Sequence, residues 1–276
     1  MRIGAHLRTK RAVDVVLETA RSSGADAAQL FISSPRAWAG PIISEEEGST
    51  FRAKWKESGL GPVFVHAPYL VNIASPNPEF VEKSRTLLAR TIDGCEAIGA
   101  EGLVVHAGSG VEGERDAAVE RAARILAELV PMAEKTSIVV ELMAGTSGAV
   151  ASTFEEAREL FGLVDQEELR LCTDTCHLFA TGYDLSNAKG VRGAFEELRS
   201  SGLEDHLVLV HGNDSEFPRG EHRDRHTNIG EGHIGVEGFR AILAEKAVQN
   251  AAAVLVETPG DVEAHRRDIE TLKGLL

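Results

Sequence analysis

The strongest constraint on this chain is a rhythm: eight short apolar runs, rich in β-branched residues, alternate with longer amphipathic stretches along its whole length. The runs fall at residues 3–6, 27–33, 62–67, 102–107, 137–143, 169–177, 206–213 and 252–258. Helical periodicity falls at 12–21, 45–58, 78–98, 115–134, 153–161, 191–200, 236–246 and 262–275. Start signals accompany some of these stretches: Thr153 stands ahead of Glu155 and Glu156, and Asp261 ahead of the last. Runs that are apolar at nearly every position suit parallel strands covered by helices, not a half-solvated antiparallel sheet. Eight such units in 276 residues, without a linker rich in Pro, Gly or Ser, predict one (β/α)8 barrel over residues 1–276. That fold needs about 250 residues as a single unit. The competing architecture is an open doubly wound sheet, which often carries a glycine-rich phosphate turn after its first strand. Here the first run leads instead into Leu7-Arg8-Thr9-Lys10-Arg11.

Chemistry in such a barrel gathers at the C-terminal ends of the strands, and this chain puts metal-ligand types there. The first run ends in His6, the third in His66, the fourth in His106 and the fifth reaches Glu141. The sixth contains Asp174 and His177, the seventh His211 and the eighth Glu257, while Asp224 and His226 lie in the loop after the seventh. Any one of these residues alone would be a hydrogen-bonded loop anchor. Burying them together around one mouth costs several kcal/mol for each ionised carboxylate. Divalent ions remove that cost, and imidazole with carboxylate is a donor set that Zn2+ takes, with Mn2+ admissible at some positions. Leaving His6 aside, the candidates are five His, two Asp and two Glu; one catalytic zinc uses about three protein ligands, so two or three ions are expected. Closely spaced ions suit in-line displacement at phosphorus. Asp224 and His226, two apart, share one face if the chain there is extended, which suits two ligands for one ion, while Asp174 and His177 stand three apart.

The formal net charge of −14 argues against a plain nucleic-acid binder, although bound cations would invert the sign locally. Cys95, Cys172 and Cys176 are too few for a disulfide framework, so a reducing cytoplasm is expected. Cys172 and Cys176 are expected to pack on one side of the sixth strand. No run of about 18 apolar residues offers a membrane span, and the opening residues do not have the form of a secretory signal. Glu45-Glu46-Glu47 is read as a solvated helix start, and His206, His222 and His265 are left outside the site.

Three segments resemble the endonuclease IV family: His66-Ala67-Pro68-Tyr69-Leu70-Val71-Asn72; Thr173-Asp174-Thr175-Cys176-His177 with Ala180 to Asp184; and Asp224-Arg225-His226 followed by Ile229 to Gly235. The resemblance implies a trinuclear zinc barrel that hydrolyses the phosphodiester 5′ to abasic sites, removes 3′-blocking groups and acts on double-stranded DNA as a monomer. It implies one ion held by His66, His106 and Glu141. A second would be held by Glu141 as a bridge with Asp174, His211 and Glu257, and a third by His177, Asp224 and His226. Glu141 and Glu257 are the implied catalytic residues, with Glu257 orienting or deprotonating the attacking water. Tyr69, Arg36 and Trp38 are expected to contact DNA, and His6 and His233 to orient ligands or substrate from behind. Two departures stand out: Leu142-Met143 where the family more often has Asn-Thr, and Glu216 where a Lys is usual. The competing activities are a single-metal sugar isomerase or epimerase of the same barrel superfamily, which would not need His177, Asp224 and His226, and a lesion binder with structural zinc.

Overall fold

A computed structural model describes residues 1–7, 12–110 and 114–276. Residues 8–11, on which the missing glycine-rich turn was argued, lie outside them. Eight parallel strands close into a barrel: β1 (Ile3–His6), β2 (Ala28–Leu30), β3 (Val63–His66), β4 (Gly102–His106), β5 (Ser137–Glu141), β6 (Arg170–Asp174), β7 (Leu207–His211) and, last in the chain, β10 (Ala253–Val256). Neighbours in the ring follow chain order, and β10 closes it between β7 and β1. A two-residue antiparallel pair, β8 (Asp214–Ser215) and β9 (His226–Thr227), lies in the loop after β7. The covering helices are α1 (Val13–Ser23), α2 (Glu45–Ser58), α3 (Pro78–Ile98), α4 (Arg115–Leu129), α5 (Phe154–Val164), α6 (Thr175–Thr181), α7 (Ala188–Ser200), α8 (Gly235–Ala244), α9 (Lys246–Asn250) and α10 (Val262–Lys273). Local chemistry sets several of their ends: Ser44 and Glu47 form a reciprocal capping box on α2, and Asn77 caps α3 ahead of Pro78.

The period of two along each strand divides the apolar residues into two cores. Ile3, Val63, Val65, Leu103, Val105, Ile138, Val140, Leu171 and Val254 face outward and pack under the helices. Ala27, Phe64, Val104, Val139, Cys172, Leu209, Ala253 and Leu255 face inward and fill the barrel. Among the described residues no helix is long and apolar enough to cross a membrane.

Two expectations need correction. The sixth run is not extended to residue 177: β6 stops at Asp174, whose side chain accepts the backbone N–H of His177 and caps α6. Cys172 is therefore on a strand and Cys176 on a helix, so the two buried thiols do not share one strand face. The predicted helix at 236–246 is broken at Glu245, whose backbone is extended, into α8 and α9.

The tightest backbone approach near the barrel rim is at Gly4, where an added Cβ would lie 1.9 Å from the carbonyl oxygen of Ala27. That oxygen is backbone and cannot swing aside, so Gly4→Ala must displace β1 from its neighbour. We expect a loss of roughly 2 kcal/mol, within the usual range for overpacking, measured by urea unfolding; an unchanged midpoint would contradict the close contact.

Candidate metal centre

The inward residue that follows the inner core on each strand, two positions further on, is polar in every case. Phe64 leads to His66, Val104 to His106, Val139 to Glu141, Cys172 to Asp174, Leu209 to His211 and Leu255 to Glu257. On the remaining two strands Gly4 leads to His6 and Ala27 to Gln29. These side chains make one polar layer beneath a cleft of about 740 Å3. Gln29 was not found by reading the sequence for ligand types; the same alternation, counted from Ala27, points to it.

Each of three histidines commits one ring nitrogen to an oxygen and turns the other toward a carboxylate. His66 Nδ1 donates to the Ala67 carbonyl at 2.8 Å, and its Nε2 lies 3.1 Å from Glu141 Oε2. His177 Nδ1 donates to the Leu142 carbonyl at 2.8 Å, and its Nε2 lies 3.3 Å from Asp224 Oδ1. His211 Nε2 donates to Gln29 Oε1 at 3.0 Å, and its Nδ1 lies 3.0 Å from Glu141 Oε1. Fixing the far nitrogen in this way sets the ring orientation and basicity of a metal-binding imidazole.

Three sets of donors result. His66, His106 and Glu141 have ligand atoms within 4.8 Å of one another, and so do Glu141, Asp174, His211 and Glu257. The third set is Asp174, His177 and His226, with Asp224 Oδ1 3.3 Å from His177 Nε2 and 3.2 Å from His226 Nε2. Asp174 thus serves two sets, where the sequence reading gave it to one. His106, His177 and His226 all have a buried Nε2 without a hydrogen bond. His106 Nε2 nevertheless lies 2.9 Å from Glu141 Oε2, and His226 Nε2 3.4 Å from Asp174 Oδ2. Close donor atoms that do not aim a proton at one another are what a shared ion would leave. Two ligands on a tetrahedral zinc with bonds of about 2.0–2.1 Å stand roughly 3.3 Å apart, so the donor sets fit divalent metal ions.

The electrostatics agree. Burial would raise the pKa of Glu141, yet His211 and His106 outweigh it and hold the carboxyl well below its usual range. Burial also opposes ionisation of Glu257 and Asp224, and both are nevertheless lowered, the first by His211 and His6, the second by His177 and His226.

The antiparallel pair brings in the loop donors Asp224 and His226. β8 follows β7 directly, and pairing Ser215 with His226 brings β9 back over the barrel mouth. Two buried carboxylates then pin the chain beyond it. Asp214 accepts N–H groups from Gly230, Gly232, Ile234 and Gly235. Asp268 accepts the amide N–H of Ile229 and the side chains of Asn228 and Thr258. Asp224 and His226 therefore lie near each other through pairing and anchoring as well as through their spacing.

Among the other expected residues, Arg36 and Tyr69 line the cleft, as do Phe31 and Arg225, which the sequence reading did not single out. Phe31 sits 4.6 Å from His6, 5.7 Å from His66 and 5.1 Å from Tyr69, ring to ring. His6 also lines the cleft, with Nδ1 2.8 Å from Glu257 Oε1. His233 does not reach the centre: its side chain is exposed and its amide N–H donates to the Ser215 carbonyl. Trp38 packs beside Phe80 against the outer core and is not among the cleft-lining residues. Leu142 faces the outer core and offers the centre only its carbonyl, so that departure leaves the His177 contact intact. Glu216 is exposed on the loop between β8 and β9.

A family profile described as "Xylose isomerase-like TIM barrel" matches residues 17–275. A "Probable endonuclease 4" of Sulfurihydrogenibium sp. is 34% identical over 99% of this chain and 99% of its own. The crystal structure of endonuclease IV from Thermus thermophilus superposes with a TM-score of 0.88 at 31% identity, covering 100% of this chain and 98% of that one. The chain belongs to the endonuclease IV family. A D-tagatose 3-epimerase-like protein, at 20% identity and a TM-score of 0.77 over 100% of this chain and 97% of its own, shares the fold.

In an endonuclease IV barrel free of metal, the histidines carry the compensating charge. Burial lowers the pKa of His226, but Asp174 and Asp224 outweigh it and lift the value to about 9. His177 and His211 are likewise raised well above the ordinary 6.5, against burial, by their carboxylate neighbours. A raised folded pKa stabilises fully below the unfolded value and is lost as pH climbs through the folded one. The Tm of chelator-treated protein should therefore fall from pH 6.5 to pH 9. Metal uptake should release protons and strengthen over the same interval. A flat or rising Tm across it would contradict the assigned ion pairs.

Proposed function

We propose that the protein is a zinc-dependent DNA-repair endonuclease that cuts the phosphodiester 5′ to abasic sites, leaving 3′-OH and 5′-deoxyribose phosphate, and removes 3′-blocking groups. The observation that carries this reading is the third donor set, Asp174, His177 and His226, with Asp224 against both histidines, beside two others in one cleft. A single-metal sugar isomerase would have no use for it. The relatives named endonuclease 4 support the same substrate class. The residues would hold three zinc ions, as His66–His106–Glu141, Glu141–Asp174–His211–Glu257 and His177–Asp224–His226. Bound zinc supplies Lewis-acid polarisation of the phosphodiester and acidification of the attacking water.

The chain's own contribution follows from its geometry. Glu257 Oε1 is held by Gln29 Nε2 at 2.6 Å, which leaves Oε2, 3.3 Å from His211 Nδ1, to orient the water and take its proton. No side chain needs to act as nucleophile, and burial pushes the Cys172 and Cys176 thiols up to about 12, which keeps them protonated. Arg36 and Arg225 put positive charge at the cleft of a chain whose net charge is −14, where a phosphate would enter. Tyr69, 65% exposed beside Phe31, stands ready to fill the space of a missing base. An abasic nucleotide has no base to unstack and costs little to extrude. Three free, buried cysteines accord with action in a reducing cytoplasm.

A duplex carrying one abasic analogue should be nicked on its 5′ side by the zinc-loaded protein and left intact after chelation. Failure to nick with about three zinc ions bound, the number a trinuclear site requires, would sink this assignment. Glu257→Gln should keep duplex binding and lose about 10²–10⁴ in turnover, the usual range for a positioned general base; unchanged turnover removes Glu257 from the reaction.

A further inference from the structure

Gln29 is fully buried on β2 and holds three members of the polar layer at once. Its Oε1 faces His211 Nε2 at 3.0 Å, and its Nε2 lies 2.6 Å from Glu257 Oε1 and 2.9 Å from His6 Nδ1. Chemistry decides which way round the amide sits. Turned over, its oxygen would face the Glu257 carboxylate at 2.6 Å with no proton between them. The nitrogen therefore faces Glu257 and the oxygen faces His211. A carbonyl oxygen can only accept, so the proton of His211 must be on Nε2. In the neutral ring that binds a metal, the lone pair is then left on Nδ1, which looks at Glu141 Oε1 at 3.0 Å, Glu257 Oε2 at 3.3 Å and Asp174 Oδ2 at 3.9 Å.

We propose that Gln29 is the positioning residue of the second donor set: it fixes the tautomer that aims His211 Nδ1 at the shared ion and holds Glu257 in register with it. The assignment rests on the metal reading above. Had residue 29 been apolar, the Nε2 proton would face no acceptor, the ring could turn, and Glu257 would lose its amide donor. Gln29 does not itself line the cleft, and its partners His6, His211 and Glu257 belong to neither of the other two sets, so its effect falls first on the ion shared by Glu141, Asp174, His211 and Glu257.

Gln29→Met and Gln29→Glu test this in zinc-loaded protein. Methionine fills the same length without hydrogen bonds; glutamate restores an oxygen opposite His211 Nε2. Chelator competition should show one of the three zinc ions released about 10- to 100-fold more readily from Gln29→Met, the usual effect of removing an outer partner of a metal-bound histidine. The other two should be held as in the wild type, and Gln29→Glu, which keeps the acceptor for His211 Nε2 but sets a carboxylate against Glu257, should recover part of the retention. Long-range 1H–15N correlation should place the wild-type His211 proton on Nε2. Equal zinc retention in wild type and Gln29→Met overturns the proposal, as does equal loss in the methionine and glutamate variants or a wild-type proton on Nδ1. Far-ultraviolet circular dichroism of both variants separates misfolding from loss of the ion, and if the methionine variant does not fold, the proton position on His211 in the wild type decides. Wild-type protein that holds no zinc sinks the metal reading and this proposal together; wild type that holds it beside an unaltered Gln29→Met sinks only the latter.

Discussion

One buried carboxylate organises the molecule's working end. Glu141 is fully buried, and its two oxygens lie 3.1 Å from His66 Nε2, 2.9 Å from His106 Nε2 and 3.0 Å from His211 Nδ1. An isolated carboxylate in such a place would cost several kcal/mol after relaxation, and among the described residues no Lys or Arg pairs with it. What surrounds it are imidazoles from three different strands, each of which can accept either a proton or a metal ion. The layer can therefore be balanced by protons when empty of metal and by cations when filled.

The barrel makes this arrangement possible. Inward residues of adjacent strands meet at its centre, so eight strands converge on one point without any long loop having to be ordered. The inner apolar layer of Phe64, Val104, Val139, Leu209 and Leu255 closes the floor, and the polar layer opens into the cleft. The third donor set is built differently. Asp174 and His177 come from the junction of β6 and α6, and Asp224 and His226 from the far side of a loop secured by the buried Asp214 and Asp268. A barrel alone supports two sets; the third requires that loop to be pinned.

The alternation of runs and helices made the barrel readable from the sequence, and ligand-type residues at run ends made most of the centre readable. The failures have physical causes. Continuous apolarity cannot mark where a strand gives way to a helix, so the sixth run looked extended through His177, when Asp174 was already capping α6. Glu245 ended α8 by its backbone conformation, which a periodicity count does not register. His233 lies between matched residues, but its neighbours' backbone N–H groups are what the fold uses there, and its own side chain points to solvent. Gln29 was overlooked because an amide is no metal ligand, although its place in the period of two is the same as that of His66 or Glu141.

Why a side chain is needed at 29 follows from how the other histidines are fixed. His66 and His177 sit at the rim, where strand ends leave the carbonyls of Ala67 and Leu142 free to accept their protons. The identity of the side chain at 142 is then immaterial, which is how Leu142 replaces the family's more usual Asn without disturbing the centre. His211 points into the barrel axis, where neighbouring carbonyls are already engaged in the β-ladder; Leu255, for instance, accepts the N–H of Gly212. The acceptor its Nε2 meets is instead carried in from another strand, on a side chain that also donates to Glu257. An amide of glutamine length meets both demands, whereas a carboxylate at 29 would meet the first and oppose the second.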